Sequence, residues 1–307
     1  MASVLQRCSF FRRLFLQSAL CVMLLLASPL NAADSLNVFV SIAPQQYFVK
    51  RICGNLARIS VMVQPGANPA IYEPKPKQMA ALAKTDVYFA TGVPFEDMWL
   101  RKISTINPRM VVVHCEEGVA RIAMARRLPG AGLDHGQQQT TASEHSRIMD
   151  PHIWLSPSLV MLQARNIFHA LLAVDPDHRL EYCNNYRKFI RDLVELDIEI
   201  DQILQGRGKK FLVFHPAWGY FARSYGLVQI PIELEGKEPG PVQLSAVTRY
   251  AREHQLEVIF VQPQFSWQIA AAIAKSIGGR IVFLDPLAAD WYNNLKKAAL
   301  EISAALR

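Results

Sequence analysis

Pro176–Gln205 reads PDHRLEYCNNYRKFIRDLVELDIEIDQILQ, and its period decides the fold. Leu180, Tyr186, Phe189, Ile190, Leu193, Leu196, Ile200, Ile203 and Leu204 follow the three-and-four pattern of one stripe on a single helix. At about 1.5 Å per residue that helix runs ~45 Å, long enough to cross two domains. Gly206 and Gly208 follow it, where helix-ending glycines are common. The stretch is expected to be a rigid strut with a lobe packed at each end.

Both flanks alternate between strand and helix patterns. Before the strut, LNVFVS, ISVMV, VYFA and RMVVV read as buried strands, separated by helical segments at Gln45–Ile52, Lys77–Ala83 and Phe95–Ile106. A further helix is expected from Pro157 to Ala173. After the strut, KFLVF, LVQIPI, EVIFVQ and RIVFL alternate with helices at Trp218–Tyr225, Gln243–His254, Trp267–Ile277 and Trp291–Leu300. Continuous apolar strands between helices imply parallel sheets covered on both faces. The expected class is α/β, two strand-helix lobes with parallel-rich sheets joined by one long rigid helix. The expected divisions are residues 34–175 for the first lobe, 176–206 for the connecting helix and 207–307 for the second lobe. Residues 116–150, rich in Gly, Gln, Thr and Ser, are expected to form a mobile polar loop.

A chain of 307 residues with half of them apolar has room for two domains, each with its own core. The first 33 residues read differently. Arg7, Arg12 and Arg13 precede an apolar run from Leu14 to Leu26, and ASPLNAADS supplies small residues near Ala32. That is the pattern of a secretory signal peptide, cleaved near Ala32 or Ala33, and the run falls short of the ~20 residues a permanent span needs. Leu20 before Cys21 is not the small residue a lipoprotein site would show. Loss of those three arginines lowers the net charge from +7 to +4, too mild to indicate nucleic acid. Of the cysteines, Cys53, Cys115 and Cys183 remain, enough for one disulfide at most and not spaced as a metal knuckle.

Eight histidines are available. His169, His178 and His254 fall on helices or helix ends, and His135 and His145 in the polar loop. His215 follows the strand FLVF directly, Asp285 closes the strand RIVFL, and His152 sits in DPHIWLSP just after the loop. Ligands of open parallel sheets bind beyond the carboxyl ends of the strands. Two imidazoles and a carboxylate there form the donor set of a borderline divalent metal.

PGANPAIYEPKPKQMAALAKTDVYFATG, DPHIWLSP, FHPAWGYFARSYGL, IELEGKEPGPVQLSAV, FVQPQFS and LDPLAADWY occur in this order over the whole mature chain. In that set and order the chain resembles the periplasmic metal-binding proteins of ABC importers for zinc and manganese. The resemblance implies a metal held in the cleft between two lobes, delivery to an importer permease and its ATPase, and a monomer. It also implies four ligands, of which His152, His215 and Asp285 match. The histidine of the fourth position is Ala70 here, leaving water as the expected occupant, with Glu73, His135, His145, His114 and Cys115 as weaker substitutes. A histidine at 215, where relatives for manganese or iron carry a carboxylate, favours zinc. Gln262 replaces a common acid and is expected to alter only a surface or second-shell contact. Other readings are a manganese, iron or metal-chelate carrier, a zinc hydrolase using the open position, and an adhesin. The hydrolase lacks an H-E-x-x-H spacing, and the adhesin lacks an anchor.

Overall fold

The computed structural model describes residues 35–125, 148–233 and 239–306. The signal-peptide segment, His135 and His145 therefore lie outside the described residues. The first sheet is built from β1 (Leu36–Val40), β2 (Ala57–Val61), β3 (Val87–Ala90) and β4 (Val111–His114), with α1 (Ala43–Cys53), α2 (Pro76–Leu82) and α3 (Pro94–Ile106) as crossovers. All its pairs are parallel, in the order β2-β1-β3-β4. Then come α4 (Pro157–Val174), a 3-10 turn (Pro176–His178) and α5 (Arg179–Leu204). The second sheet repeats the first: β5 (Lys210–Val213), β6 (Val228–Pro231), β7 (Val258–Val261) and β8 (Arg280–Phe283) stand in the order β6-β5-β7-β8, again all parallel. Its helices are α6 (Gly219–Ser224), α7 (Pro241–Glu253), α8 (Gln268–Ser276) and α9 (Trp291–Ala305).

The strand chemistry explains why both sheets are parallel and covered. Val87, Tyr88, Phe89 and Ala90 of β3 are all buried, as expected of a strand with helices on both faces. Several helices carry proline in their first two positions, among them Pro44, Pro76, Pro94, Pro157 and Pro241. There its fixed φ fits the helix and its missing N–H costs nothing. Gly92, with φ +80°, turns the chain from β3 into α3. A Cβ at Gly92 would lie 1.7 Å from Arg121 Nη2, so the guanidinium packs on bare backbone.

The strut spans 26 helical residues, about 39 Å. Its buried stripe is Tyr182, Phe189, Leu193, Leu196, Ile200 and Leu204. Leu180 does not belong to it, being 81% exposed, because two residues turn the helix about 200° from Tyr182. The expectation of a separate core for each domain also fails. One apolar cluster runs from Val38 and Phe89 of the first sheet through Leu193, Leu196 and Ile200 of α5 to Phe211 and Val213 of β5. A second cluster, with Leu212, Ile230, Ile259 and Ile273, fills the other face of the second sheet. Alternation along β5 sends successive residues into different cores.

Cys53, Cys115 and Cys183 form no disulfide. The ends of the polar loop are tied together. Ala123 bridges Met149, Met124 N donates to Ile148 O at 3.0 Å, and Ile122 N reaches the Tyr220 hydroxyl of α6 at 3.2 Å. No helix among the described residues is long and apolar enough to cross a membrane.

Candidate metal centre

In each sheet the chain reverses its winding between the first and third strands, at β1/β3 and at β5/β7. Such a switch point opens a crevice beyond the strands' carboxyl ends. Segments following β2, β3, β5, β7 and β8 line one cavity of about 60 Å³, and His152 and His215 both face it.

His215 lies two residues beyond β5. Gln262, fully buried just after β7, grips its backbone twice, with Oε1 accepting from His215 N at 3.0 Å and Nε2 donating to His215 O at 2.9 Å. The imidazole stacks on Phe265, centroids 4.6 Å apart, and its Nδ1 lies 2.9 Å from Oε2 of buried Glu233. Burial pushes the His215 pKa below its ordinary value, while Glu233 pulls the other way. The neutral ring, the form that binds metals, is therefore favoured at neutral pH.

His152 is held in the same manner from the other side. Asp150 Oδ1 accepts from His152 N at 2.9 Å and lies 2.7 Å from Nδ1. Gly219 allows this carboxylate to pack on α6, since a Cβ there would meet Asp150 Oδ2 at 2.4 Å. Trp154 Nε1 donates to Pro286 O and Trp291 Nε1 to Trp154 O, both at 2.7 Å, tying this segment to the β8–α9 connection. The two imidazole centroids stand 5.3 Å apart. With each Nδ1 on a buried carboxylate, Nε2 is left as the donor nitrogen of each ring. A carboxylate behind a ligating histidine fixes the tautomer and raises ring basicity.

Asp285 is not part of the cavity wall, where Pro286 and Leu287 stand instead. Its Oδ1 accepts from Gln264 Nε2 at 2.7 Å and from Leu287 N at 2.9 Å. Among the described residues no group of three or more His, Cys, Asp and Glu stands close enough to hold a metal ion. Ala70 does line the cavity, in a turn closed by its N–H on Asn68 Oδ1 at 2.8 Å. Those of its suggested substitutes that are described do not. Glu73 is exposed, His114 is engaged with Glu116 at 3.0 Å, and Cys115 is fully buried elsewhere.

Sequence reasoning missed Asp150, Glu233 and Gln264. Glu233 carried a usable signal, since it too stands just beyond a strand end, in PIELEG after β6. Of the two contacts expected for Gln262, at the surface or behind a ligand, the buried side chain makes the second, fixing the backbone of His215 from the protein interior.

A crystal structure of ZnuA superposes with a TM-score of 0.80 at 42% sequence identity, covering 89% of this chain and 99% of that one. The high-affinity zinc uptake system protein ZnuA of Bacillus subtilis is 29% identical over 262 residues, 84% of this chain and 80% of that protein. The zinc-binding lipoprotein AdcA of Streptococcus pneumoniae is 26% identical over 277 residues, and there 89% of this chain spans about half, 54%, of the relative's length. A family model described as ZnuA, zinc-uptake complex component A, periplasmic, matches residues 38–305. With nearly all its folded residues inside that match, the chain belongs to the ZnuA family.

Proposed function

We propose that this protein captures zinc outside the cytoplasmic membrane and delivers it to the permease and ATPase of an ABC importer. His152 and His215 donate Nε2 and Asp285 donates a carboxylate oxygen, as the cation draws the Asp285 side chain toward the imidazole pair. The protein works as a monomer after removal of residues 1–33, cleaved near Ala32. Residues 34–175 and 207–307 form the lobes, and 176–206 the stiff connection that limits their movement. Capture and release need no covalent step, and the hydrolase alternative gains no support from membership in a zinc-uptake family.

The observation that carries this reading is the paired arrangement of His152 on Asp150 and His215 on Glu233 around one cavity. Imidazole nitrogen suits zinc better than it suits manganese. The test is elemental analysis and zinc titration of purified protein beside His152→Ala and His215→Ala. About one zinc per chain, with each variant at least about tenfold weaker, is expected. Full affinity in both variants would remove this site.

A further inference from the structure

Gln264 is the one cavity-lining residue, among those described, with a side-chain polar atom that is buried and without a hydrogen-bond partner: its amide oxygen Oε1. Its other amide atom is well placed. Nε2 donates to Asp285 Oδ1 at 2.7 Å, and exchanging the two amide atoms would set an oxygen against a carboxylate oxygen at that distance. The amide orientation is thereby fixed, with Oε1 directed away from Asp285. A buried amide oxygen without a partner bears its full desolvation cost, and in a folded protein such an atom commonly marks a bound ion or water.

The same cavity holds both imidazoles of the proposed zinc site. Phe265, next in the chain, stacks on the His215 ring at 4.6 Å, and His152 stands 5.3 Å from His215. Ala70, across the same cavity, offers only a methyl group. We infer that Gln264 Oε1 is a direct ligand of the transported cation, completing a four-donor set with His152, His215 and Asp285. This rests on the zinc-capture reading and adds the donor that Ala70 does not supply. An amide oxygen is neutral and harder than imidazole, so the set is two nitrogens and two oxygens with a single formal negative charge. Gln264 and Asp285 act as a hydrogen-bonded pair, and the cation draws on one oxygen from each.

The test uses cobalt(II) as a spectroscopic probe, with zinc affinity from competition against a chromophoric chelator. Wild type, Gln264→Leu, Gln264→Glu and His215→Ala are compared, with thermal melts to establish that each is folded. A ligand role predicts intense visible cobalt bands of a four-coordinate ion in wild type. In Gln264→Leu those bands weaken as water enters, and zinc affinity falls about tenfold or more. Gln264→Glu gives up the N–H to Asp285 but keeps an oxygen donor for the cation, so it retains the bands and binds zinc more tightly than Gln264→Leu. If Gln264 serves only to orient Asp285, both variants lose the N–H and fall together, and the inference is overturned. Unchanged bands and affinity in Gln264→Leu overturn it too, while the zinc-capture reading stands as long as His215→Ala is defective. Wild type that binds neither cobalt nor zinc overturns both.

Discussion

Gln262 holds both ends of the His215 peptide unit, accepting from its N–H at 3.0 Å and donating to its C=O at 2.9 Å. The primary amide does both through separate atoms, whereas an ionised carboxylate has no hydrogen to offer the carbonyl. Gln262→Glu therefore leaves a buried carbonyl facing a carboxylate oxygen. The expected loss of stability is about 1–3 kcal/mol, the cost of an unsatisfied buried polar group. A thermal melt at neutral pH checks this, and an unchanged midpoint would mean the pocket refills the bond with water.

In the proposed site Glu233 would act on the metal through His215. Its carboxylate oxygen meets Nδ1 at 2.9 Å, so Gln in its place keeps the geometry and removes the charge that raises ring basicity. Gln at 233 should weaken zinc binding roughly tenfold, the low end for such outer partners, and Asn at 150 should act in the same direction. Chelator competition measures both. Wild-type affinity in Glu233→Gln would show that the carboxylate only fills space.

The fold was legible because its signals are local and redundant. VYFA is buried throughout, and it reads as an interior strand from composition alone. The strut was visible from its period, which puts Phe189, Leu193, Leu196, Ile200 and Leu204 on the buried stripe; only at its start does Tyr182 face inward in place of Leu180, since both are apolar. The site was legible to the extent that it obeys the rule of strand ends. That rule selected His215, and it applies equally to Glu233, although an acid in a polar turn also suits a solvated side chain. Gln264 had no signal of its own. Its role depends on Asp285, distant in sequence and brought to it only by the β7–β8 pairing.

Glu96 gives the fold a pH dependence that can be separated from metal binding. It lies in the first turn of α3, buried, with Thr91 N donating to Oε1 at 3.0 Å and Gly92 N to Oε2 at 2.7 Å. Burial nevertheless dominates and raises its pKa from 4.5 to about 7. Between those values the folded chain carries a proton that the unfolded chain lacks, so stability increases as pH falls from about 7 towards 4.5. Above about 7 both states are ionised and the cost of burying the charge is constant, on the order of 3 kcal/mol. Metal-free wild type should therefore gain stability relative to Glu96→Gln on going from about pH 8 to about pH 5. A difference between the two proteins that does not change with pH would contradict this.

The shared core makes a prediction about cooperativity. Leu196 is fully buried at the middle of α5, in the cluster that reaches both β3 and β5. Truncation to alanine removes apolar burial and leaves a cavity, typically a loss of 2–5 kcal/mol, or about that range here. If each sheet folded on its own core, the loss would fall on one half and a second transition would separate from the first. Because the cluster is continuous through α5, the whole folded unit should instead lose stability together, as a single transition at lower denaturant. Urea unfolding followed by tryptophan fluorescence and by far-ultraviolet circular dichroism provides the check. Coincident curves, shifted equally in Leu196→Ala, are expected, and two resolved steps would mean the lobes are held by separate cores after all.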